Sequence, residues 1–265
     1  MSMRFPLILK SSLTAILALA LITGFIAKKK VKPTLYIIGD STVRNTNKAQ
    51  AGWGSFIGEY LDTTRIKVSN QAMAGRSTRT FIKEGRWDKV LSTLQPGDFV
   101  LMQFGHNEGS APDTSRAGYR GVLPGTGPET KELTWRDGKV EVVHTYGWYL
   151  RKFVQDAKAK GATPVIASMI PRNQWKDDKV LRAGGTYGKW AREVAQAEDV
   201  YFVDLNQITA DKYDQLGAGK VKDLFQGDHT HTNAAGARIN AASVAEGLKQ
   251  NKKHPLTKYV VRKKK

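Results

Sequence analysis

TLYIIGDST, residues 34–42, is the stretch that decides the fold of this chain of 265 residues. Its first part is a short apolar run with β-branched side chains and no clean alternation, which is typical of a strand buried on both faces of a sheet. A polar turn containing a glycine, an acid and two hydroxyl residues follows directly. The stretch therefore predicts a central parallel strand with chemically useful side chains at its carboxyl end.

Four more apolar runs follow, and helical patterns lie between and after them. The other predicted strands are Arg65–Asn70, Asp98–Gln103, Thr163–Met169 and Val200–Leu205. The predicted helices are Gly54–Leu61, Trp87–Leu94, Thr145–Lys160, Tyr187–Ala197 and Asn233–Lys249. Strands that alternate with helices favour one α/β domain, residues 33–251, in which helices cover both faces of a parallel sheet of five strands.

One long segment, residues 108–143, interrupts this alternation after the third predicted strand. It contains a stretch rich in glycine and proline, GVLPGTGPE, and then KELTWRDGKVEVV, in which Asp137-Gly138 separates two alternating stretches. An Asp-Gly pair in such a position is a strong signal of a β-hairpin. Because long insertions in compact domains are usually functional, we expect this one to lie over the active site.

The net charge of +18 and the absence of cysteine limit the classes of function. Residues 1–32 carry six basic groups and residues 252–265 carry seven, with no acidic group in either segment, which leaves +5 on residues 33–251. A nucleic-acid partner would require the excess on the folded body, so this distribution argues against one. We interpret residues 252–265 as a basic tail, either disordered or able to bind an acidic surface. Without cysteine the chain has no disulfide, thiol nucleophile or thiolate metal ligand.

The first 32 residues have the pattern of a targeting segment. Arg4 and Lys10 precede an apolar run from Leu13 to Ala27, as in a secretory signal. The run is shorter than the roughly 20 apolar residues that a membrane span needs. Phe25, however, stands three positions before a cut after Ala27, where a small residue is preferred. We therefore expect an exported protein, periplasmic or extracellular, with either a cleaved signal peptide or a retained N-terminal membrane anchor.

Polar clusters follow the predicted strands at the edge where open α/β sheets bind ligands. Ser41 follows the first strand, Gly75 the second and Asn107 the third, while Asp228 and His231 come after the last. Acyl transfer needs a nucleophile, a base, a group that orients the base, and donors for the oxyanion. We assign the first three roles to Ser41, His231 and Asp228. The oxyanion donors are then the backbone N–H groups of Ser41 and Gly75 and the side-chain amide of Asn107.

The blocks Gly39-Asp40-Ser41, Gly75, Gly105-x-Asn107 and Asp228-x-x-His231, in this order, resemble the four blocks of the SGNH, or G-D-S-L-type, hydrolases. The resemblance covers about residues 34–250. Within the superfamily the chain is most similar to the rhamnogalacturonan acetylesterases. The supporting stretches are Gly52-Trp53-Gly54, Phe104-Gly105-His106-Asn107, Val143-His144-Thr145-Tyr146-Gly147-Trp148-Tyr149 and Asp228-His229-Thr230-His231-Thr232-Asn233.

This resemblance implies a three-layer α/β/α sandwich of the flavodoxin-like kind and a serine esterase that deacetylates pectic polysaccharide without a cofactor or a metal. The family's catalytic triad and oxyanion hole map onto the five residues assigned above. We expect a monomer. Two positions depart from the pattern: Thr42 replaces the Leu of the G-D-S-L name, and Glu108 stands where Asp often follows the Asn of the third block. If that acid orients Asn107, its longer side chain would loosen the oxyanion geometry.

Three side chains are candidates for contact with the sugar chain. Trp135 in the hairpin offers a flat aromatic surface for a sugar ring. Arg76 and Arg172 follow the second and fourth predicted strands, and an arginine can bind a galacturonate carboxylate through two parallel hydrogen bonds. These three residues are therefore predicted substrate contacts.

The sequence leaves several alternatives open. Xylan or homogalacturonan could be the substrate, and the same chemistry could serve another ester, as in a lipase or a thioesterase. Asp228, His229 and His231, joined by Asp40 or His106, have the residue types of a metal-dependent hydrolase. A protein that has the esterase fold but binds polysaccharide without catalysis is a further alternative. His106 is equally compatible with a hydrogen bond in the site and with simple packing.

Overall fold

A parallel sheet of five strands forms the centre of the folded body, for which a computed structural model describes residues 32–183 and 185–261. In chain order the strands are β1 (Thr34–Gly39), β2 (Lys67–Asn70), β3 (Phe99–Gln103), β4 (Thr130–Thr134), β5 (Val140–His144), β6 (Thr163–Ala167), β7 (Trp175–Lys176), β8 (Lys179–Val180) and β9 (Tyr201–Val203). The central sheet has the order β2-β1-β3-β6-β9, and every pairing in it is parallel. Counted along these strands alone the order is 2-1-3-4-5, which is that of flavodoxin-like folds and confirms the predicted fold class.

Helices cover both faces of this sheet. They are α1 (Thr78–Lys83), α2 (Arg86–Leu91), α3 (Tyr146–Ala159), α4 (Tyr187–Ala197), α5 (Leu205–Leu216), α6 (Ala218–Lys222) and α7 (Ala234–Gln250), with 3-10 helices at Trp53–Ser55, Ile57–Tyr60 and Thr257–Tyr259. Neighbouring residues of a strand point to opposite faces. Ile37 accordingly packs in one core cluster with side chains of α7, and Ile38 packs in a second cluster with side chains of α1 to α4. The sheet is therefore the middle layer of a three-layer α/β/α sandwich.

The predicted strands agree with the structure to within two residues at each end, but one predicted helix is wrong. Two short 3-10 helices, Trp53–Ser55 and Ile57–Tyr60, occupy the stretch Gly54–Leu61. A Cβ at Gly54 would lie 2.5 Å from Asn70 Nδ2, so the chain needs glycine here for a close approach, and glycine weakens a helix. Helix α5 was not predicted, because the apolar run of β9 continues into its first residue.

The C-terminal segment differs from the predicted tail. Leu256 is fully buried, Tyr259 packs edge-on against Phe99 with ring centroids 5.9 Å apart, and Val260 forms a bridge with Leu61. Lys252, Lys253 and Lys258 of the same segment stay exposed, so its positive charge alone does not show that the segment is packed. Residues 252–261 therefore belong to the folded body, and the predicted boundary at residue 251 falls too early.

The predicted signal or anchor, residues 1–32, lies outside the described residues except for Lys32. Within the part of the chain that the structure describes, none of the helices is both long enough and apolar enough to span a bilayer.

The insertion forms the predicted hairpin. β4 and β5 pair antiparallel in the register Leu133↔Glu141. The turn contains Gly138 with a φ of 80°, a conformation that suits glycine. Arg79 of α1 binds Glu141 at 2.7 Å and also donates to the carbonyl oxygens of Gly118 and Gly121. A single buried guanidinium therefore holds both the loop and the hairpin of the insertion against α1.

Candidate active site

Ser41 lies in the turn directly after β1, at the carboxyl end of the sheet. Gly39 permits this turn, since a Cβ there would lie 2.5 Å from the Gln103 carbonyl oxygen. The buried carboxylate of Asp40 accepts hydrogen bonds from the backbone N–H and the hydroxyl of Thr42, at 2.8 and 2.7 Å. Burial raises the pKa of Asp40 to about 6, against the effect of these bonds. Asp40 thus fixes the turn that presents Ser41.

Asp228, His231 and Ser41 form a continuous chain of hydrogen bonds. His231 Nδ1 lies 2.6 Å from Asp228 Oδ2, and His231 Nε2 lies 2.9 Å from Ser41 Oγ. A carboxylate beside Nδ1 requires the proton on that nitrogen, which leaves Nε2 to accept the hydroxyl proton of Ser41. The structure therefore brings together the three residues predicted to form the triad, in the geometry that a nucleophile and its base require.

The Asp228 carboxylate is itself held by the turn in which it lies. Its Oδ1 accepts from the backbone N–H groups of Thr230 and His231, both at 2.7 Å. Burial works against the charge, but the hydrogen bonds from the His231 side chain and from these two backbone groups outweigh it and hold the pKa of Asp228 below its ordinary value. Asp228 therefore remains a carboxylate while it orients the imidazole.

Two hydrogen bonds dock the Asp228–His231 turn beside the β1 turn. The Ala51 N–H donates to the Thr232 carbonyl oxygen at 2.7 Å, and the Thr232 hydroxyl donates to the Ala51 carbonyl oxygen at 3.0 Å. Asn233 then caps α7 by accepting from the N–H groups of Ala235 and Gly236. This cap and the docking to residue 51 fix where His231 stands relative to Ser41, although the two are 190 positions apart in the sequence.

The predicted oxyanion donors include N–H groups that have no acceptor among the described residues. Within residues 32–183 and 185–261, the backbone N–H groups of Ser41 and Gly75 donate to no acceptor. Gly75 has a φ of 76°, and a Cβ there would meet nothing within 4 Å, so the space beside its Cα is open. Asn107 Nδ2 donates one hydrogen bond, to the Arg76 carbonyl oxygen at 3.0 Å, and its second N–H has no acceptor among the described residues. Each of the three groups thus has a donor available for a ligand.

Arg120, in the insertion, is a site residue that sequence reasoning missed. Its Nη1 donates to Asn107 Oδ1 at 3.0 Å, and this bond together with the one to Arg76 fixes the plane of the amide. The segment around Arg120 has neither periodicity nor a family motif, so no local signal reveals its position. Only the folded insertion places it beside Asn107.

Glu108 acts on Asn107 through the backbone. Its Oε2 accepts from the Asn107 N–H and its Oε1 from the Thr78 N–H, both at 2.9 Å, so it joins the third block to the start of α1. Burial, and then the charge of Asp40, raises the pKa of Glu108 to about 8. The longer side chain of Glu108 therefore does not loosen the side-chain amide of Asn107, because hydrogen bonds with Arg120 and Arg76 hold that amide.

The three predicted substrate contacts lie in different places. Arg76 binds Glu84 at 3.0 Å and lines a cavity of about 330 Å³ beside Gly75. Trp135 lies on the hairpin and lines a much larger cavity. Arg172 donates to the His106 carbonyl oxygen at 3.3 Å and lines a separate cavity of about 380 Å³. The structure does not gather them into one subsite, and their contact with substrate stays a prediction.

The residues considered for a metal site do not converge. His106 has both ring nitrogens buried without a hydrogen-bond partner among the described residues, and burial, followed by the charge of Arg172, lowers its pKa to about 3. Both oxygens of Asp228 are used by its own turn and by His231. Across the described ranges, no group of three or more His, Asp or Glu side chains is arranged to hold a metal ion.

The fold and the site together define a class of protein. A flavodoxin-like sheet with a hydrogen-bonded Ser–His–Asp chain and unused oxyanion donors at one edge is the architecture of a serine hydrolase. Residues 37–239 match the model of the GDSL-like lipase/acylhydrolase family. The chain belongs to this family, which confirms the resemblance found in its four sequence blocks, and it is a hydrolase of ester bonds.

Two named relatives are similar over most of the chain. The chain is 36% identical over 208 residues to the rhamnogalacturonan acetylesterase of Emericella nidulans, covering 78% of this chain and 81% of that protein. It is 30% identical over 223 residues to a Bacillus subtilis protein named "Probable rhamnogalacturonan acetylesterase", covering 82% and 92%. The solved structure of YxiM from Bacillus subtilis matches with a TM-score of 0.68 at 24% identity, covering 84% of this chain but 58% of that longer chain. This last match shows a shared fold.

Proposed function

We propose that this esterase removes acetyl groups from the pectic polysaccharide rhamnogalacturonan through an acyl-enzyme on Ser41. The observation that carries the chemistry is the hydrogen-bonded chain from Ser41 through His231 to Asp228, at 2.9 and 2.6 Å. The substrate is supported by the names of the two relatives at 36% and 30% identity.

In the first half of the reaction His231 Nε2 takes the Ser41 proton while Ser41 Oγ attacks the acetyl carbonyl carbon. The oxyanion accepts hydrogen bonds from the N–H groups of Ser41 and Gly75 and from the free N–H of Asn107. The bond between the acetyl carbon and the sugar oxygen then breaks. His231 returns its proton to that oxygen, and the sugar leaves as an alcohol.

In the second half a water molecule replaces the sugar. His231 takes a proton from the water as its oxygen attacks the acetyl carbon, and the same three donors hold the second oxyanion. Collapse of this intermediate breaks the bond to Ser41 Oγ, to which His231 returns the proton. Acetate leaves and the site is restored. Asp228, as a carboxylate, stabilises the imidazolium that forms twice in each cycle.

The test is acetate release from acetylated rhamnogalacturonan, with acetylated xylan as the comparison polymer. Wild type should release acetate faster from rhamnogalacturonan, and Ser41→Ala should lower the rate by at least about 10⁴-fold, as expected when a triad nucleophile is lost. Ser92→Ala removes an exposed serine outside the site and should leave the rate unchanged. Undiminished release by Ser41→Ala would exclude Ser41 as nucleophile, and equal rates on both polymers would exclude the substrate preference.

We also propose that the enzyme acts outside the cytoplasm. The basic start and the apolar run of Leu13–Ala27 support export, and a chain without cysteine is insensitive to an oxidising compartment. Expression of the full chain and of a chain that begins at Lys32, followed by fractionation, tests this. Export of the full chain alone is expected, and retention of both in the cytoplasm would contradict it.

A further inference from the structure

A cavity of about 1130 Å³, the large cavity, lies on the insertion rather than around Ser41. One wall is the hairpin β4–β5, another is the loop around residues 114–119, and the remainder comes from α1 and α3. Its volume lies just above the usual range for small-molecule sites, which is about 300–1,000 Å³. It therefore has room for a ligand larger than the single acetylated sugar that reacts at Ser41.

This cavity borders the oxyanion side of the active site. Arg116 and Tyr119 line both the large cavity and the cavity of about 330 Å³ that contains Gly75 and Arg120. Arg120 in turn holds the Asn107 amide at 3.0 Å. A chain that lies in the large cavity can therefore continue along Tyr119 toward the reacting ester.

The walls carry more positive than negative charge. Six basic side chains line the cavity and only two acidic ones do, Asp137 and Glu141. The basic residues are Arg79, Lys83, Arg116, Arg136, Lys139 and Lys152. Four of them are neutralised by acidic partners, but Arg116 and Arg136 have no hydrogen bond or ion pair with any other described residue. Two exposed guanidinium groups in one cavity provide donors for two carboxylates.

The hairpin adds an apolar surface of the kind that packs against sugar rings. Val140 and Val142 point to the same side of β5, line the cavity, and are 62% and 43% exposed. Trp135 is held in place because its indole N–H donates to Glu141 at 2.9 Å and the Lys83 ammonium lies 3.5 Å from its ring centroid. A fixed aromatic ring beside exposed valines offers apolar contact at little entropic cost.

We propose that this cavity is a subsite for an acidic oligosaccharide, in which Arg116 and Arg136 bind uronate carboxylates while Trp135, Val140 and Val142 contact the sugar rings. The proposal deepens the proposed function and rests on it for the identity of the polymer. Neither arginine was among the predicted substrate contacts. The subsite selects an acidic chain at a distance from the ester, so that the active site itself needs no uronate-binding group.

Binding is tested in the Ser41→Ala background with de-esterified rhamnogalacturonan oligosaccharides, measured by calorimetry. Neutral xylo-oligosaccharides of equal length are the comparison ligand. Arg116→Gln/Arg136→Gln should raise Kd for the acidic ligand about tenfold or more, since each loses a charge-assisted hydrogen bond. The matched control Lys67→Gln/Lys160→Gln removes two exposed charges at the opposite edge of the sheet and should not change Kd.

Kinetics separate this proposal from the esterase assignment. For the arginine double variant, the ratio of kcat/KM on acetylated rhamnogalacturonan to that on 4-nitrophenyl acetate should fall about tenfold, mainly through KM. Equal affinity of the wild-type protein for acidic and neutral ligands, or an unchanged Kd in the double variant, would overturn the subsite proposal and leave the esterase assignment intact. Hydrolysis that survives Ser41→Ala would instead overturn the proposed function.

Discussion

Replacement of Arg120 by methionine tests how the oxyanion hole is held. The Asn107 amide is fixed by two hydrogen bonds, one to the Arg76 carbonyl oxygen and one from Arg120 Nη1, both at 3.0 Å. Arg120→Met removes the one hydrogen bond that Oδ1 accepts from a described residue, and the amide can then rotate about its remaining contact. Because Asn107 is a proposed donor to the oxyanion of the transition state, we expect the loss in kcat, with KM little changed.

The magnitude follows from the single bond that is lost. Hydrogen bonds to charged groups contribute about 1.5–3 kcal/mol, and partial exposure of this pair favours the lower end. A loss of about 1.4 kcal/mol lowers kcat about tenfold. Asn107→Ala sets the upper limit, because loss of an oxyanion donor costs about 10²–10³-fold. Arg120→Lys, which keeps the charge and one donor, should recover part of the activity.

The assay is steady-state hydrolysis of 4-nitrophenyl acetate by wild type, the two single variants and the double variant. If Arg120 acts through Asn107, adding Arg120→Met to Asn107→Ala should lower kcat little further, because the two residues act as one unit. The same tenfold loss in both backgrounds would show that Arg120 acts elsewhere. A change of less than twofold in wild type would refute the positioning role outright.

Three further predictions concern the triad, the hairpin and the C-terminus. Asp228→Asn should lower kcat about 10⁴-fold, because an amide at this position favours the wrong imidazole tautomer; steady-state kinetics with unchanged circular dichroism checks this. Burial opposes the charge of Glu141, but hydrogen bonds from Arg79 and from a lysine of α1 lower its pKa to about 2 from the usual 4.5. Its contribution to stability is therefore complete above pH 4.5 and is lost as the pH falls toward 2. Glu141→Gln should lower the free energy of unfolding by about 2 kcal/mol at pH 7 and by progressively less in acid, which urea denaturation at several pH values measures. Leu256→Ala should cost about 2–5 kcal/mol of stability by the same measurement, whereas Lys253→Ala should stay within about 0.5 kcal/mol.

The fold and the close grouping of Ser41, His231 and Asp228 could be predicted because their signals are local. Each buried strand is a contiguous apolar run, and in this topology the residue after each run lies at the same edge of the sheet, so the positions of Ser41, Gly75 and Asn107 follow from strand order. Asp228 and His231 share one turn, and their pairing depends on a separation of three residues. Little of this required knowledge of long-range contacts.

The parts that could not be predicted depend on contacts between distant segments. The 3-10 helices near Gly54 arise because that glycine meets the β2 end, and nothing in the helical pattern of residues 54–61 indicates this contact. The charge of the C-terminal segment predicts a tail, but Leu256 and Tyr259 decide its packing, and their partners are distant in the sequence. Arg120 lies thirteen positions after Asn107 and reaches it only because the loop folds back.

A buried arginine and a buried glutamic acid explain why the insertion and the oxyanion side of the site depend on each other. Arg79 is 1% exposed and satisfies its guanidinium with Glu141 of the hairpin and with the carbonyl oxygens of Gly118 and Gly121. A buried guanidinium is costly without such partners, so the insertion satisfies a buried charge of α1. Glu108 connects α1 to the oxyanion side, since it accepts hydrogen bonds from the first N–H of α1 and from the backbone N–H of Asn107. The segment that forms the large cavity therefore also supports the proposed oxyanion donors.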